Sequence, residues 1–306
     1  MASPYGDLVL IANPRAGRGR VGEELPEVER QLIARRLRYR IVETEGPGHA
    51  TALAREALHD GTRFLVAVGG DGTVQEVVNG MLDDGRPLSR DAVLGVVAAG
   101  SGSDFVRTFG LPGDTAKAVR HLEGDRLYPI DVIRAEYRVG DEVATRYVPN
   151  VAECGLGAAV VTRAARLPRW LGRSRYFWGF WLALGPYRPA PIDVRVDRKE
   201  FAGVANNVVV ANCQFYGGGM RISPRSYPGD GLLEVQISTG PKSEAFTLIP
   251  KIYRGEHVPH PHIKELRGRE VVVDGARPLP VEGDGEVLGT TPARFTVLPE
   301  VVALKI

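Results

Sequence analysis

The chain has 306 residues, 43% of them apolar and 25% charged, enough to bury one large core or two modest ones without disulfide or metal staples. A formal net charge of +2 excludes the strongly basic footprint of a nucleic-acid binder. The two cysteines, Cys154 and Cys213, lie in apolar surroundings and read as buried free thiols, which fits a cytoplasmic setting.

The N-terminus lacks the basic and apolar regions of a signal peptide. Leu8 to Ala12 reads as a buried strand. Residues 23–38 carry Leu25, Val28, Leu32, Ile33 and Leu37 at helical spacing. A strand is predicted at Tyr39 to Val42, a helix at His49 to His59, a strand at Phe64 to Val68, a helix at Val74 to Leu82 and a strand at Val93 to Ala98. This alternation predicts a parallel sheet with helices on both faces, whose ligands bind at the carboxyl ends of its strands. Beyond residue 125, β-rich runs dominate: Ile130–Tyr137, Tyr147–Val151, Ile192–Val196, Asn207–Asn212, Leu232–Ile237, Glu270–Val273 and Arg294–Leu298. They predict a mainly antiparallel second domain with one helical island near 157–185. The expected division is an α/β domain over 1–125 and a β-rich domain over 126–298. The most aromatic stretch, Tyr176 to Tyr187, is several residues too short to span a bilayer.

Three glycine-rich loops follow three of the first-domain strands. They are Asn13-Pro14-Arg15-Ala16-Gly17-Arg18-Gly19, then Gly69-Gly70-Asp71-Gly72-Thr73, then Gly100-Ser101-Gly102-Ser103-Asp104-Phe105. Glycine lets backbone N–H groups approach phosphate, and three such loops at one end of one sheet point to a polyphosphate ligand. Gly17-x-Gly19-x-x-Gly22, with Glu43 beyond it, matches a dinucleotide fingerprint, but that scheme gives the other two loops no role. Thr73 and Glu76 have capping-box spacing and read as structural. Asp71, between two glycines at the mouth of a strand, is predicted to meet nucleotide phosphates through magnesium. Asp104 is expected in the same ion network, since two carboxylates beside a polyphosphate need a cation between them. P-loop and protein-kinase motifs are absent.

Together these residues resemble the catalytic domain of diacylglycerol kinases and their sphingosine, ceramide and bacterial lipid kinase relatives. The resemblance rests on Asn13-Pro14-x-Ala16-Gly17, Gly48-His49-Ala50, Gly69 to Thr73 with Glu76-Val77-Val78-Asn79-Gly80, Gly217-Gly218-Gly219-Met220, Asp230-Gly231-Leu232-Leu233-Glu234 and Asp284-Gly285-Glu286. It implies a doubly wound nucleotide domain, similar to those of phosphofructokinases and NAD kinases, followed by a β-rich sandwich domain. The last strand, near 299–306, would return to the first domain. It also implies ATP contacts at Asn13, Thr44, Gly70, Asp71, Gly72, Thr73 and Ser101, and a magnesium site at Asp230 with backbone oxygens of Tyr227 and Leu232. The base would come from Asp284-Gly285-Glu286. The third loop departs from the family's Gly-Thr-x-Asn-Asp-Phe by carrying Ser101 and Ser103.

Asp284 and Glu286 are two residues apart, which in an extended segment puts both carboxylates on one face. Glu286 is favoured as the base, with Asp284 its orienting or metal-linked neighbour, and the choice between them stays open. Arg163, Arg166, Arg169, Arg173 and Arg175 precede Tyr176, Phe177, Trp178, Phe180 and Trp181, a mixture suited to an anionic membrane surface. His257, His260 and His262 read as a solvated loop rather than a zinc site. The expectation is a magnesium- and ATP-dependent kinase acting on a lipid hydroxyl, peripherally membrane-associated, with its four carboxylates Asp71, Asp104, Asp230 and Glu286 gathered at one cleft. A homodimer is left open. The other readings are an NAD kinase relative, a kinase for a non-lipid alcohol, and a catalytically silent nucleotide-binding protein.

Overall fold

The computed structural model describes residues 3–98, 104–168, 171 and 174–306. The chain divides into two compact units, one formed by Met1–Asp131 with Glu300–Ile306 and the other by Val132–Pro299.

The first unit runs β1 (Leu8–Ala12), α1 (Arg20–Ala34), β2 (Tyr39–Glu43), α2 (His49–His59), β3 (Phe64–Gly69), α3 (Asp71–Met81), the short pair β4 (Leu82–Asp83) and β5 (Arg86–Pro87), β6 (Val93–Ala98), α4 (Asp104–Thr108), α5 (Thr115–Arg120) and the start of β7 (Leu127–Val139). Its sheet has the order β2-β1-β3-β6, all parallel. A fifth parallel strand is the end of β17 (Glu286–Lys305), where Ala303 and Leu304 pair with Val93 and Leu94. Every residue of β1, β3 and β6 is buried, as a sheet covered on both faces requires. Helix α1 adds Val21, Val28 and Leu32 to the core. It stops at Ala34 rather than running to 38. Arg36 turns left-handed (φ 57°), and the N–H groups of Arg36 and Leu37 return to Ile33 O and Leu32 O, both at 3.0 Å. This is a Schellman stop without its usual glycine, so the sequence carried no mark of it.

The second unit continues β7 and adds β8 (Glu142–Val148), β9 (Val151–Gly155), α6 (Leu156–Ala165), α7 (Ser174–Leu184), β10 (Ala190–Val196), β11 (Lys199–Ala205), β12 (Asn207–Ala211), β13 (Leu233–Ser238), α8 (Ala245–Arg254), β14 (Ile263–Gly268), β15 (Glu270–Gly275), β16 (Pro280–Gly283) and most of β17. Antiparallel pairing gives the path β14-β13-β12-β9-β16-β17, with β11-β10-β15 joined to β17. Inward residues such as Ile133, Cys154, Ile192, Val194, Val208, Val235, Val273 and Phe295 form one core. β10 alternates buried and exposed residues along its length, the mark of a sheet with one solvated face. Both cysteines are free and buried.

Three expectations change here. Tyr147–Val151 is not one strand: β8 ends at Val148, β9 begins at Val151, and Pro149, with no N–H to donate, sits at the break. Arg294–Leu298 is part of a twenty-residue strand. Helix α8 was hidden by Pro250 in its middle. Among the described residues no helix is long and apolar enough to cross a membrane.

Candidate active site

The parallel sheet brings the first-domain residues level. Ala12 pairs with Glu43 on one side and Val68 on the other. The next residues along the three strands are therefore Asn13, Thr44 and Gly69, side by side at the carboxyl edge. The chain leaves β1 for β2 on one flank and β3 for β6 on the other, so Asn13 and Gly69-Gly70 stand at the topological switch point, where open α/β sheets bind ligands. Backbone bonds hold the edge: Asn13 N donates to Val68 O at 3.0 Å and Thr44 N to Ala12 O at 2.8 Å. A side chain added at Gly70 or Gly72 would meet no atom of the described residues within 4 Å, so packing among those residues does not require glycine at either place. Helix α3 starts at Asp71, three residues before the predicted start, and its first-turn N–H groups face the same edge.

Asp71 and Asp104 do come together, but through the backbone. The two carboxylate oxygens of Asp71 accept the N–H groups of Asp104 and Phe105, each at 3.0 Å. Asp71 thus caps α4 and ties the second glycine loop to the segment after the third. Asp104 is buried. Ser101 lies outside the described residues. Thr73 is buried, and no side chain caps α3, so the capping box does not form. Glu76 reaches instead to α2, accepting from Gly48 N at 2.9 Å and Ala50 N at 3.0 Å. Asp71→Ala is expected to cost about 1–2 kcal/mol by orphaning two N–H groups, as well as turnover. Asp71→Asn, which keeps one acceptor oxygen, should recover part of the stability and none of the rate. Urea unfolding with initial rates separates the two losses, and an Asn variant of full activity would make the residue a cap alone.

In the second unit the Asp284-Gly285 pair is the tip of a hairpin, not an extended segment. Gly283 pairs with Glu286, and Asp284 (φ 52°) and Gly285 (φ 84°) form the two-residue left-handed turn that Asp-Gly favours. The carboxylates therefore do not share a strand face. Asp284 is fixed to β9 in both directions: its N–H donates to Val151 O at 3.0 Å and its Oδ1 accepts from Val151 N at 2.9 Å. Glu286 pairs with Arg146 Nη2 at 2.9 Å. Arg146 was missed, because an arginine in an exposed-looking hairpin carries no motif. A Cβ at Gly285 would lie 3.3 Å from the Tyr176 hydroxyl, so α7 passes over this turn.

Beneath the turn lie two buried glutamates, also missed. Glu153 on β9 and Glu282 on β16 are directly opposed across the antiparallel pair. Asn207 Nδ2 donates to Glu153 Oε1 at 3.0 Å, and Gly285 N donates to Glu282 Oε2 at 2.8 Å. Burial pushes the Glu153 carboxyl up to about 7, against the pull of its bonds from Asn207 and Tyr216. Burial and the neighbouring Glu153 charge raise Glu282 well above the usual carboxylate range.

The Asp230 turn was expected to hold magnesium with the backbone oxygens of Tyr227 and Leu232, donors of the hard-cation kind. It is already closed on itself. Tyr227 O accepts from Gly229 N at 2.8 Å, Asp230 Oδ1 accepts from Leu232 N at 3.0 Å, and Arg267 pairs with Asp230 and, at 3.0 Å, with Glu234. The donor types suit magnesium, and the Arg267 guanidinium neutralises the Asp230 carboxylate in its place.

Around α7 and α8 the surface is apolar. Phe177, Trp178, Leu182 and Phe246 are 51–61% exposed. Arg163 and Arg166 are exposed nearby in sequence, while Arg169 and Arg173 lie outside the described residues.

Comparison with known proteins identifies the family. The diacylglycerol kinase catalytic domain matches residues 7–135, and the YegS C-terminal NAD kinase β-sandwich-like domain matches residues 150–306. A diacylglycerol kinase of Bacillus subtilis is 28% identical, covering 94% of this chain and 92% of its own length. One from Mycobacterium tuberculosis is 29% identical over 96% and 93%. The crystal structure of a diacylglycerol kinase from Bacillus anthracis superposes with a TM-score of 0.75 at 21% identity, covering 99% of this chain and 97% of that one. With both domains of one family matched in order along the sequence, the chain belongs to the diacylglycerol kinase family and is a kinase that transfers phosphate to a hydroxyl acceptor.

Proposed function

We propose that the protein uses ATP, with magnesium, to phosphorylate the hydroxyl of a diacylglycerol-like lipid at a membrane surface. The observation that carries this reading is the level alignment of Asn13, Thr44 and Gly69-Gly70 at the switch point of the sheet, where no atom of the described residues would crowd a side chain at Gly70 or Gly72. Backbone N–H groups from Gly70 to Gly72, at the start of the eleven-residue helix α3, would receive the phosphates, while Thr73 N closes the first turn on Gly70 O at 3.0 Å. Asp71 keeps that loop in shape by holding Asp104 and Phe105. Magnesium supplies, when bound, positive charge that offsets the phosphate oxygens.

Glu286 would take the proton of the acceptor hydroxyl as the new P–O bond forms. Arg146 orients its carboxylate, and Asp284 fixes the turn to β9, which assigns base and orienter to separate residues. The exposed aromatic and aliphatic side chains of α7 and α8 are of the kind that enter a headgroup layer, with Arg163 and Arg166 to meet anionic lipid.

The test is radiolabelled ATP with vesicles of phosphatidylglycerol containing diacylglycerol, with the product identified by mass spectrometry. Magnesium-dependent label in phosphatidic acid is the expected result, falling as salt rises because the surface charges are screened. Label transferred to NAD or to a soluble alcohol, and none to lipid, would overturn the lipid reading.

A further inference from the structure

The histidine-rich segment 256–263 is solvated at Pro259, Pro261 and His262, as expected, but not at His257. His257 is buried, and its Nε2 meets Ile222 O at 3.0 Å and Gln236 Oε1 at 3.1 Å. His260 and His262 turn the other way and join Glu244, distant in sequence at the entry to α8. One ligand atom from each of the three side chains lies within 4.8 Å of the others. We propose that Glu244, His260 and His262 bind a borderline transition-metal cation of the zinc class.

The cluster is built rather than accidental. The backbone of His260-Pro261-His262 is fixed on both sides: Ile263 N donates to His260 O at 3.0 Å, and Thr239 N donates to His262 O at 2.9 Å. Hydrogen bonds orient both rings: His260 Nδ1 accepts from His262 N at 3.2 Å, and His262 Nδ1 meets Glu244 Oε1 at 2.5 Å. Glu244 can fold back onto His262 only because residue 240 is glycine. A Cβ there would stand 2.1 Å from Glu244 Oε2 and 2.9 Å from His262 Cβ. Two imidazoles and one carboxylate, with no thiolate, are donors for zinc rather than for magnesium or calcium. Three protein ligands leave one position of a tetrahedral shell for water.

The location gives the site a consequence. Two residues before Glu244, Lys242 Nζ donates to the carbonyls of Leu184, Gly185 and Tyr187, at 2.8–2.9 Å, and so holds the end of α7. Two residues after it, Phe246 packs on Trp181 of α7 with ring centroids 5.1 Å apart. Lys242, Phe246, Trp181 and Leu184 also line a shallow depression of about 400 Å³. A cation on Glu244 would therefore pin the segment that anchors the aromatic helix.

The experiment is titration of metal-stripped full-length protein with zinc chloride, followed by calorimetry and by tryptophan fluorescence, with magnesium chloride as comparison. One zinc per chain is expected, with a fluorescence change and a raised melting temperature, and no such response to magnesium. His262→Ala and Glu244→Gln should each weaken zinc about tenfold or more. His260→Gln serves where an alanine variant loses its circular dichroism spectrum. Absence of stoichiometric zinc binding, or binding that survives the double variant His260→Gln, His262→Gln, would overturn the assignment. Neither readout depends on kinase turnover.

Discussion

Glu286→Gln is expected to lower kcat by about two to four orders of magnitude while leaving ATP affinity unchanged. Glutamine keeps the size and hydrogen-bonding reach of the side chain but cannot take a proton at neutral pH. The loss therefore measures the proton transfer and not the packing. Arg146, whose Nη2 lies 2.9 Å from Glu286, is a positioning residue, and Arg146→Lys keeps the charge but loses the planar fork that fixes the carboxylate. It should lower kcat by less than Glu286→Gln and leave KM for ATP in place. Asp284→Asn should act differently. Its Oδ1 is an acceptor from Val151 N, a bond that an amide oxygen can keep, so much of the rate should survive. Steady-state rates with nucleotide binding by calorimetry distinguish these outcomes. Equal losses for Asp284→Asn and Glu286→Gln would return the base assignment to an open choice, and an active Glu286→Gln would remove Glu286 from it.

Unfolding free energy should fall as pH rises from about 5 to about 8, and Glu153→Gln should flatten that slope. Glu153 is raised from 4.5 to about 7 by burial, and Glu282 shifts the same way. Across this range the folded chain holds a proton on the pair that the unfolded chain has released. The unfolded state then binds fewer protons, so stability contributed by the protonated pair is complete below the ordinary carboxylate value and is lost as pH climbs through about 7. A single group shifted this far corresponds to about 3 kcal/mol. Glutamine preserves the acceptor oxygen for Asn207 and removes the titration. Urea midpoints for the native chain and for Glu153→Gln across the range check it, and parallel pH curves would show that both carboxylates stay ionised in the fold. Because Glu282 Oε2 accepts from Gly285 N, the same proton borders the turn that carries Glu286.

The parallel sheet and the first two glycine loops were legible because they depend on local rules. Continuous apolar runs such as Phe64 to Val68 have one outcome in a sheet buried on both faces, and glycines after such strands mark where backbone must stay open. What stayed hidden depends on partners distant in sequence. Glu76 has capping-box spacing from Thr73, yet its carboxylate serves Gly48 and Ala50, which only the packing of α2 beside α3 brings within reach. Glu153 and Glu282 lie 129 positions apart and become neighbours only through strand register. Glu244 joins His260 and His262 because a turn and a helix lie between them. Asp71 was legible as special, though not as a cap, since its partners follow the third loop.

Strand β17 has a further consequence, which concerns the order in which the protein can be made. Residues 286–299 of this strand belong to the second unit and residues 300–305 to the first, where Glu300 N donates to buried Asp131 Oδ1 at 2.8 Å. The second unit is continuous in sequence. The first unit emerges from the ribosome earlier, but its fifth strand follows the whole of the second unit in sequence, and until that strand is made β6 presents an open edge. The unit that is begun first is therefore completed only after the other, and a nascent chain halted anywhere before residue 300 carries an unsealed parallel sheet, an edge of the kind chaperones shield.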